Sequence, residues 1–244
     1  MTPGLWELVL GGVWTTVQLL LFSALLATAV SFAAGIARTH RRWVVRFLAG
    51  LYTEVFRGTS ALVMIFWVFF VLPVAVGWQL VPMWAGTLAL GLTYGAYGAE
   101  IVRGALAAVE PAQREGGVAL GFTPWQRLRL ILLPQALPEM IPPLSNLLVE
   151  LLKGTALVSV MGMGDLTFSA NLVRLALQQS AEIYTYVLLI YFAIAFLLTR
   201  LMRGLERRLK ANVGKAAPRR TAARRPRPAD AGTKPVDAAV GGMR

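Results

Sequence analysis

The two longest charge-free stretches of this chain are residues 8–37, and residues 58–99, a run of 42. A helix needs about 20 predominantly apolar residues to cross a bilayer. The first run therefore makes one span and the second makes two. No Lys or Arg precedes the first run, which is also too long for the core of a signal peptide, so it reads as a retained span. Within the second run the break falls at residues 73–82. There Pro73, Gly77 and Pro82 interrupt the pattern, and Trp78 and Trp84 suit a membrane interface. A fourth apolar stretch covers residues 137–160, despite Pro138, Pro142, Pro143 and Gly154, and a fifth covers residues 183–199. The expectation is an all-α polytopic membrane protein with about five transmembrane helices.

Composition agrees. The chain is 57% hydrophobic and only 15% charged, whereas a soluble domain is about 45–50% apolar and about 25% charged. Too few charges are present to cover a soluble surface. The absence of Cys excludes disulfides, iron–sulfur clusters, thiolate zinc sites and a Cys nucleophile. The one His, His40, sits in an Arg-rich stretch and reads as a loop residue, with no second imidazole for a metal site. No metal and no cofactor is expected.

The net charge of +12 is unevenly spread. Residues 200–244 hold 13 of the 24 Lys and Arg but 3 of the 12 acids. A basic segment beside an apolar one faces anionic lipid more often than nucleic acid, so membrane lipid is an expected partner and nucleic acid is not. Orientation follows from Lys/Arg bias in short loops. Arg38, Arg41, Arg42 and Arg46 follow span one. Arg103, Arg114, Arg127 and Arg129 follow span three. Arg200, Arg203, Arg207, Arg208 and Lys210 follow span five. The intervening connections are poor in Lys and Arg. This places the N-terminus outside and the C-terminus in the cytoplasm. Leu201, Leu205 and Leu209 recur four apart, so the last span should emerge along the lipid surface. The transmembrane body is assigned to residues 1–210. Residues 211–244, rich in Pro, Arg, Ala and Gly, read as a disordered basic cytoplasmic tail.

The cytoplasmic loop at about residues 110–134 is longer than a bundle connection requires. Pro111 suits the first turn of a short helix, and Gly121 suits the left-handed position that ends it. Thr123 then suits an N-cap, Pro124 the first helical position, and Gln126 closes a capping box; the second helix is expected to stop at Pro134. Val118, Phe122 and Trp125 give the loop an apolar face, and Arg114, Arg127 and Arg129 a basic one. The loop is either a docking element for another protein or is folded onto the membrane surface.

Few charges enter the apolar stretches. Glu150 and Lys153 lie one turn apart. They either line a polar path through the membrane or form a structural ion pair. The pair is the favoured reading, because Lys can snorkel. Asp165, after Gly162-Met163-Gly164, is better read as a turn cap than as a ligand. Glu100 and Arg103 should pair beyond span three. Tyr94 and Tyr97 could hydrogen-bond a solute, but with Gly95 and Gly98 beside them helix packing is the better reading. Met64, Phe66 and Trp67 line a pocket or simply face lipid.

The residues resemble a family. Glu115-Gly116-Gly117-Val118-Ala119-Leu120-Gly121, nine residues, then Ile131-Leu132-Leu133-Pro134 resembles the cytoplasmic E-A-A-x-x-x-G-x9-I-x-L-P ("EAA") loop of ABC-importer permeases. The departure is Gly116-Gly117 in place of two alanines, which softens the helix by about 1 kcal/mol per Gly. Glu54-Val55-Phe56-Arg57-Gly58-Thr59, Pro134-Gln135-Ala136 and Leu152-Lys153-Gly154-Thr155-Ala156-Leu157 resemble segments of the polar amino-acid permeases. Ser60, Met64 and Ala156 depart from that pattern. Residues 57–63, 155–159 and 165–168 look most like the ectoine/hydroxyectoine branch.

The resemblance implies an ATP-driven importer subunit for an amino acid or a zwitterion such as ectoine, in the cytoplasmic membrane. Glu115, Val118, Ala119, Gly121 and Phe122 would contact the ATPase. Glu150, Lys153, Tyr94, Tyr97 and Met64 would be the candidate solute path. The chain has no G-x-x-x-x-G-K-[ST] sequence, so it is not expected to be an enzyme, and no catalytic residue is assigned. The implied partners are cytoplasmic ABC ATPase subunits, a second permease (a copy of this chain or a different one) and an extracytoplasmic solute-binding protein. The rival readings are an ion-coupled secondary transporter or channel, a membrane enzyme, and a nucleic-acid-binding protein that uses the tail. The first lacks an evident relay and the second a clustered set of acids or His.

Overall fold

The computed structural model describes residues 3–77 and 79–212. Trp78 and the basic tail lie outside the described residues. Every element is helical: α1 (Pro3–Ala37), α2 (Trp43–Gly58), α3 (Ala61–Phe66), α4 (Leu72–Val76), α5 (Pro82–Ala107), α6 (Pro111–Ala119), α7 (Pro124–Gln126), α8 (Leu133–Thr155), α9 (Leu166–Leu177) and α10 (Ser180–Asn212). Wide π turns at Trp67–Val71 and Arg127–Leu132 join α3 to α4 and α7 to α8, and a 3-10 turn at Ala156–Met161 ends α8.

Helix covers each of the five apolar stretches. By length and composition, three helical segments can cross a membrane: residues 4–37, 124–161 and 180–208. A fourth arises if α2 and the segment 61–76, bent by 105° at Thr59 and Ser60, count as one broken span. The second run breaks between α4 and α5. Gly77, at φ +73°, ends α4, and Pro82 opens α5 at a position where its missing N–H costs nothing.

The second loop helix does not stop at Pro134. From Pro124 to Met161 the chain is one helical rod. Before Pro134 the turn widens, and the Leu133 N–H reaches back to the Leu128 carbonyl, five residues away. The same device precedes Pro73, where the Leu72 N–H reaches the Trp67 carbonyl. A π turn shifts the hydrogen-bond ladder where proline offers no donor and its ring would clash with a carbonyl in an ordinary turn. The helix therefore absorbs the proline.

Helix α5 is the hub, packed on α1, α2, α3 and α8. Its contact with α1 is close because Gly98 has no Cβ, which would collide with the Ser31 hydroxyl. That hydroxyl donates to the Ala27 and Gly95 carbonyls. Three apolar cores stack along the bundle. The central one joins Leu19, Ile65, Leu90, Leu151, Leu152 and Val158. One beneath α9 joins Val9, Leu166, Val173 and Ile183. The last, near the loop, joins Val102, Leu106, Ala136 and Met140. Asp165 is fully buried and caps α9: its carboxylate accepts the Thr167 N–H at 3.0 Å and the Phe168 N–H at 3.3 Å. The Thr16 hydroxyl accepts the Leu166 N–H at 3.0 Å, tying that cap to α1.

Candidate functional site

The loop after α5 is built as a rigid knob. Helix α6 ends in a paired motif: the Phe122 N–H bonds the Gly117 carbonyl at 3.0 Å, and the Gly121 N–H bonds the Val118 carbonyl at 2.9 Å. Both require Gly121 in the left-handed region, at φ +72°. The chain then re-enters helix through a complete capping box. The Thr123 N–H donates to Gln126 Oε1 at 2.8 Å, and the Gln126 N–H donates to Thr123 Oγ1 at 3.3 Å. The Arg114 guanidinium donates to the Leu106 carbonyl at the end of α5, and the Gln135 side chain donates to Gln113 at 3.4 Å. The knob is thereby fixed to the bundle.

Its outer surface is apolar. Val118, Leu120, Trp125 and Leu130 are each more than half exposed. Glu115, Ala119 and Gly121 are exposed beside them, and Phe122 is half-buried. The two glycines that depart from the alanine pattern differ. A Cβ on Gly116 would meet open space, but one on Gly117 would come within 2.8 Å of Ile131 and 3.0 Å of Arg127. Gly117 is where α6 lies against the π turn.

The polar candidates fall into two places. Tyr94 and Tyr97 project from α5 with ring centroids 6.3 Å apart. The Tyr94 hydroxyl donates to the Glu150 carbonyl at 3.0 Å, and the Tyr97 hydroxyl donates to the Arg57 carbonyl at 3.2 Å. Arg57 stacks over the Tyr97 ring at 5.6 Å, and its Nε is buried without a hydrogen-bond partner. Sequence reasoning missed Arg57 as a site residue, since it entered only as part of a motif. The side chains of Glu150 and Lys153 are exposed, and no ion pair joins them among the described residues. The favoured structural pair is therefore not made. Both belong to a face of α8 that the described residues leave uncovered, where water or a partner can solvate each charge separately. Met64 is elsewhere, half-buried against the central core.

Between the loop and these tyrosines lies a charge cluster. Glu100 pairs with Arg103 as expected, and also with Arg38 at 2.7 Å. Arg38 lies within 3.9 Å of Glu54 as well. The Arg103 hydrogen bond, aided by the charges of Arg38 and Arg57, holds the Glu100 carboxyl below the usual carboxylate range, against the opposing effect of burial. Among the described residues no group of three or more His, Asp or Glu could hold a metal ion.

Residues 12–211 match the family described as binding-protein-dependent transport system inner membrane component. A probable amino-acid ABC transporter permease of Sinorhizobium fredii is 48% identical over 200 residues, covering 80% of this chain and 84% of its own length. The glutamine transport system permease of Escherichia coli is 35% identical, covering 74% of this chain and 83% of its own. The arginine transport system permease of Bacillus subtilis is 33% identical, with 84% and 93% covered. A crystal structure of an amino acid ABC transporter with histidines superposes with a TM-score of 0.75 at 29% identity, over 83% of this chain and 94% of that one. An inward-facing methionine ABC transporter, at 20% identity and a TM-score of 0.73 over 86% of this chain and 99% of that one, shares the fold.

Proposed function

Because this chain belongs to the binding-protein-dependent transport system inner membrane component family, we propose that it is the permease subunit of an ATP-driven importer. Its solute is an amino acid or a small zwitterionic derivative such as ectoine. The relatives that carry amino acids, glutamine and arginine in their names support the solute class. The observation that carries the reading is the knob of α6 and α7, fixed to the bundle and presenting Val118, Leu120, Trp125 and Leu130 outward. An exposed apolar patch rimmed by Arg and Glu suits a protein partner as well as a membrane surface, and the resemblance of the loop to the EAA pattern favours the protein partner.

A cytoplasmic ATPase subunit seats on this knob, with Glu115, Val118, Ala119 and Phe122 as contacts and Gly121 as the fixed bend. The charge bias of the loops supports a cytoplasmic knob. One knob serves one ATPase, so the chain works beside a second permease, a copy or a relative. Solute arrives from an extracytoplasmic binding protein. It passes the exposed strip of Tyr97, Glu150 and Lys153, with the half-buried Tyr94 and Arg57 beside it, which offers a zwitterion both charge signs and aromatic faces.

The test is uptake in proteoliposomes that hold this chain with its ATPase, partner permease and binding protein. ATP-dependent accumulation of glutamine, arginine or ectoine is expected. Uptake driven by an ion gradient in the absence of ATPase would overturn the importer reading in favour of a secondary transporter.

A further inference from the structure

Helix α10 packs on α8 and α9 and is otherwise little covered. Toward its basic end a cleft is lined by Phe192, Ala195, Phe196, Thr199, Arg200 and Arg203. These positions recur at helical spacing, so they form one face about 16 Å long, with rings at one end and guanidiniums at the other. Phe192 and Phe196 are both more than half exposed and stack at 6.3 Å. Arg200 lies over the Phe196 ring, 4.8 Å from its centroid. A guanidinium carbon over a ring face satisfies none of its five N–H donors with a hydrogen bond, so they stay available to an oxyanion. Neither Arg200 nor Arg203 enters an ion pair among the described residues. The Thr199 hydroxyl donates to the Ala195 carbonyl at 2.8 Å, which leaves its oxygen able to accept.

We propose that this face of α10 binds an anionic phospholipid, with its phosphate on Arg200 and Arg203 and an acyl chain along Phe196 and Phe192. The site lies where the apolar part of α10 gives way to charge, which is headgroup depth for a helix that crosses the membrane. Residues 200–208 carry four Arg and one Glu. A second copy docked symmetrically on this face would bring these cations together, whereas an anionic headgroup neutralises them. The proposal rests on α10 crossing the membrane with this end cytoplasmic, and it does not depend on which solute is carried.

Native mass spectrometry of the intact complex in mild detergent, titrated with dioctanoyl phosphatidylglycerol, tests it. The wild type is expected to retain this lipid in preference to dioctanoyl phosphatidylcholine. Arg200→Gln with Arg203→Gln should weaken retention by about tenfold, while a chain lacking residues 214–244 should retain it fully. Unchanged retention in the double variant, or equal retention of phosphatidylcholine, would overturn the site. So would full competition by glycerol phosphate, which would make it a free-phosphate site. Loss of the partner subunits in the double variant would make the face a protein interface instead. If that variant does not fold, Phe196→Ala takes its place: it leaves both charges and should lower retention several-fold, and no change would count against the proposal. ATP-driven uptake, measured after the same preparations are reconstituted into sealed liposomes, is a separate readout. Its loss with lipid retention intact would count against the importer reading alone.

Discussion

The Tyr94 ring lies so close over Gly154 that a Cβ at that glycine would sit 2.6 Å from the tyrosine hydroxyl. The same hydroxyl donates to the Glu150 carbonyl one turn earlier on α8. Helices α5 and α8 are thus in register at one ring. Gly154→Ala should force Tyr94 aside and destabilise the protein by about 1–3 kcal/mol, as overpacking does. Tyr94→Phe should cost only about 0.5–1.5 kcal/mol, the worth of one hydrogen bond. Thermal unfolding of the two variants gives the order, and an equal or reversed order would mean that the contact is not tight.

Glu115→Ala removes an exposed side chain that enters no hydrogen bond or ion pair among the described residues. It should leave melting temperature and assembly unchanged while lowering transport-coupled ATP hydrolysis. Wild-type uptake by this variant would remove Glu115 from the docking surface.

Gly121 is different, because its φ of +72° is structural. Gly121→Ala should cost about 1 kcal/mol through the left-handed backbone alone. Gly121→Pro cannot adopt that φ at all and should unfold the turn. Hydrogen exchange at Phe122 reads this directly, since its N–H is bonded to Gly117 in the native turn; continued protection in the Pro variant would contradict the prediction.

Asp165 satisfies two N–H groups at the start of α9 while fully buried. Asp165→Ala should cost up to about 2 kcal/mol, and Asp165→Asn less, since Asn caps about as well. Equal losses would point to a role for the charge rather than the cap.

Glu100 contributes stability with a definite sign. Its carboxyl is held below the ordinary range by Arg103 and Arg38, so its contribution is present in full above the unfolded-state value of about 4.3 and fades as pH falls through the lower folded-state value. Glu100→Gln should be less stable at neutral pH and show a shallower loss below about pH 4. Parallel pH profiles would disprove the coupling.

Much of this was legible in the sequence, and the exceptions have physical causes. Charge-free runs located the long helices, because lipid demands length and apolarity together. Thr123, Gln126 and Gly121 located the loop turns, because caps are local chemistry. Helix α2 escaped notice: Arg46, Glu54 and Arg57 interrupt its apolar pattern, although Val45, Ala49, Thr53 and Phe56 form an inward face. Pro134 misled because a π turn, which no residue pattern announced, carries the helix past it. The Arg38 contact to Glu100 spans 62 positions in sequence, so spacing alone could suggest only the local Arg103 partner. Glu150 and Lys153 had the spacing of a pair, but spacing does not say whether two flexible side chains will meet on an uncovered face.

The rod from Pro124 to Met161 has a mechanical meaning. Trp125 at its exposed end and Glu150 beside the tyrosines are joined by roughly 37 Å of helix, at about 1.5 Å per residue. No flexible linker intervenes. A push on the tip of such a lever tilts or twists the far end at once, and the π turn beside Pro134, with Pro138, Pro142 and Pro143, marks where its hydrogen-bond ladder is broken. Stiffness there sets how much of each stroke reaches the inner strip and how much is lost in flexing.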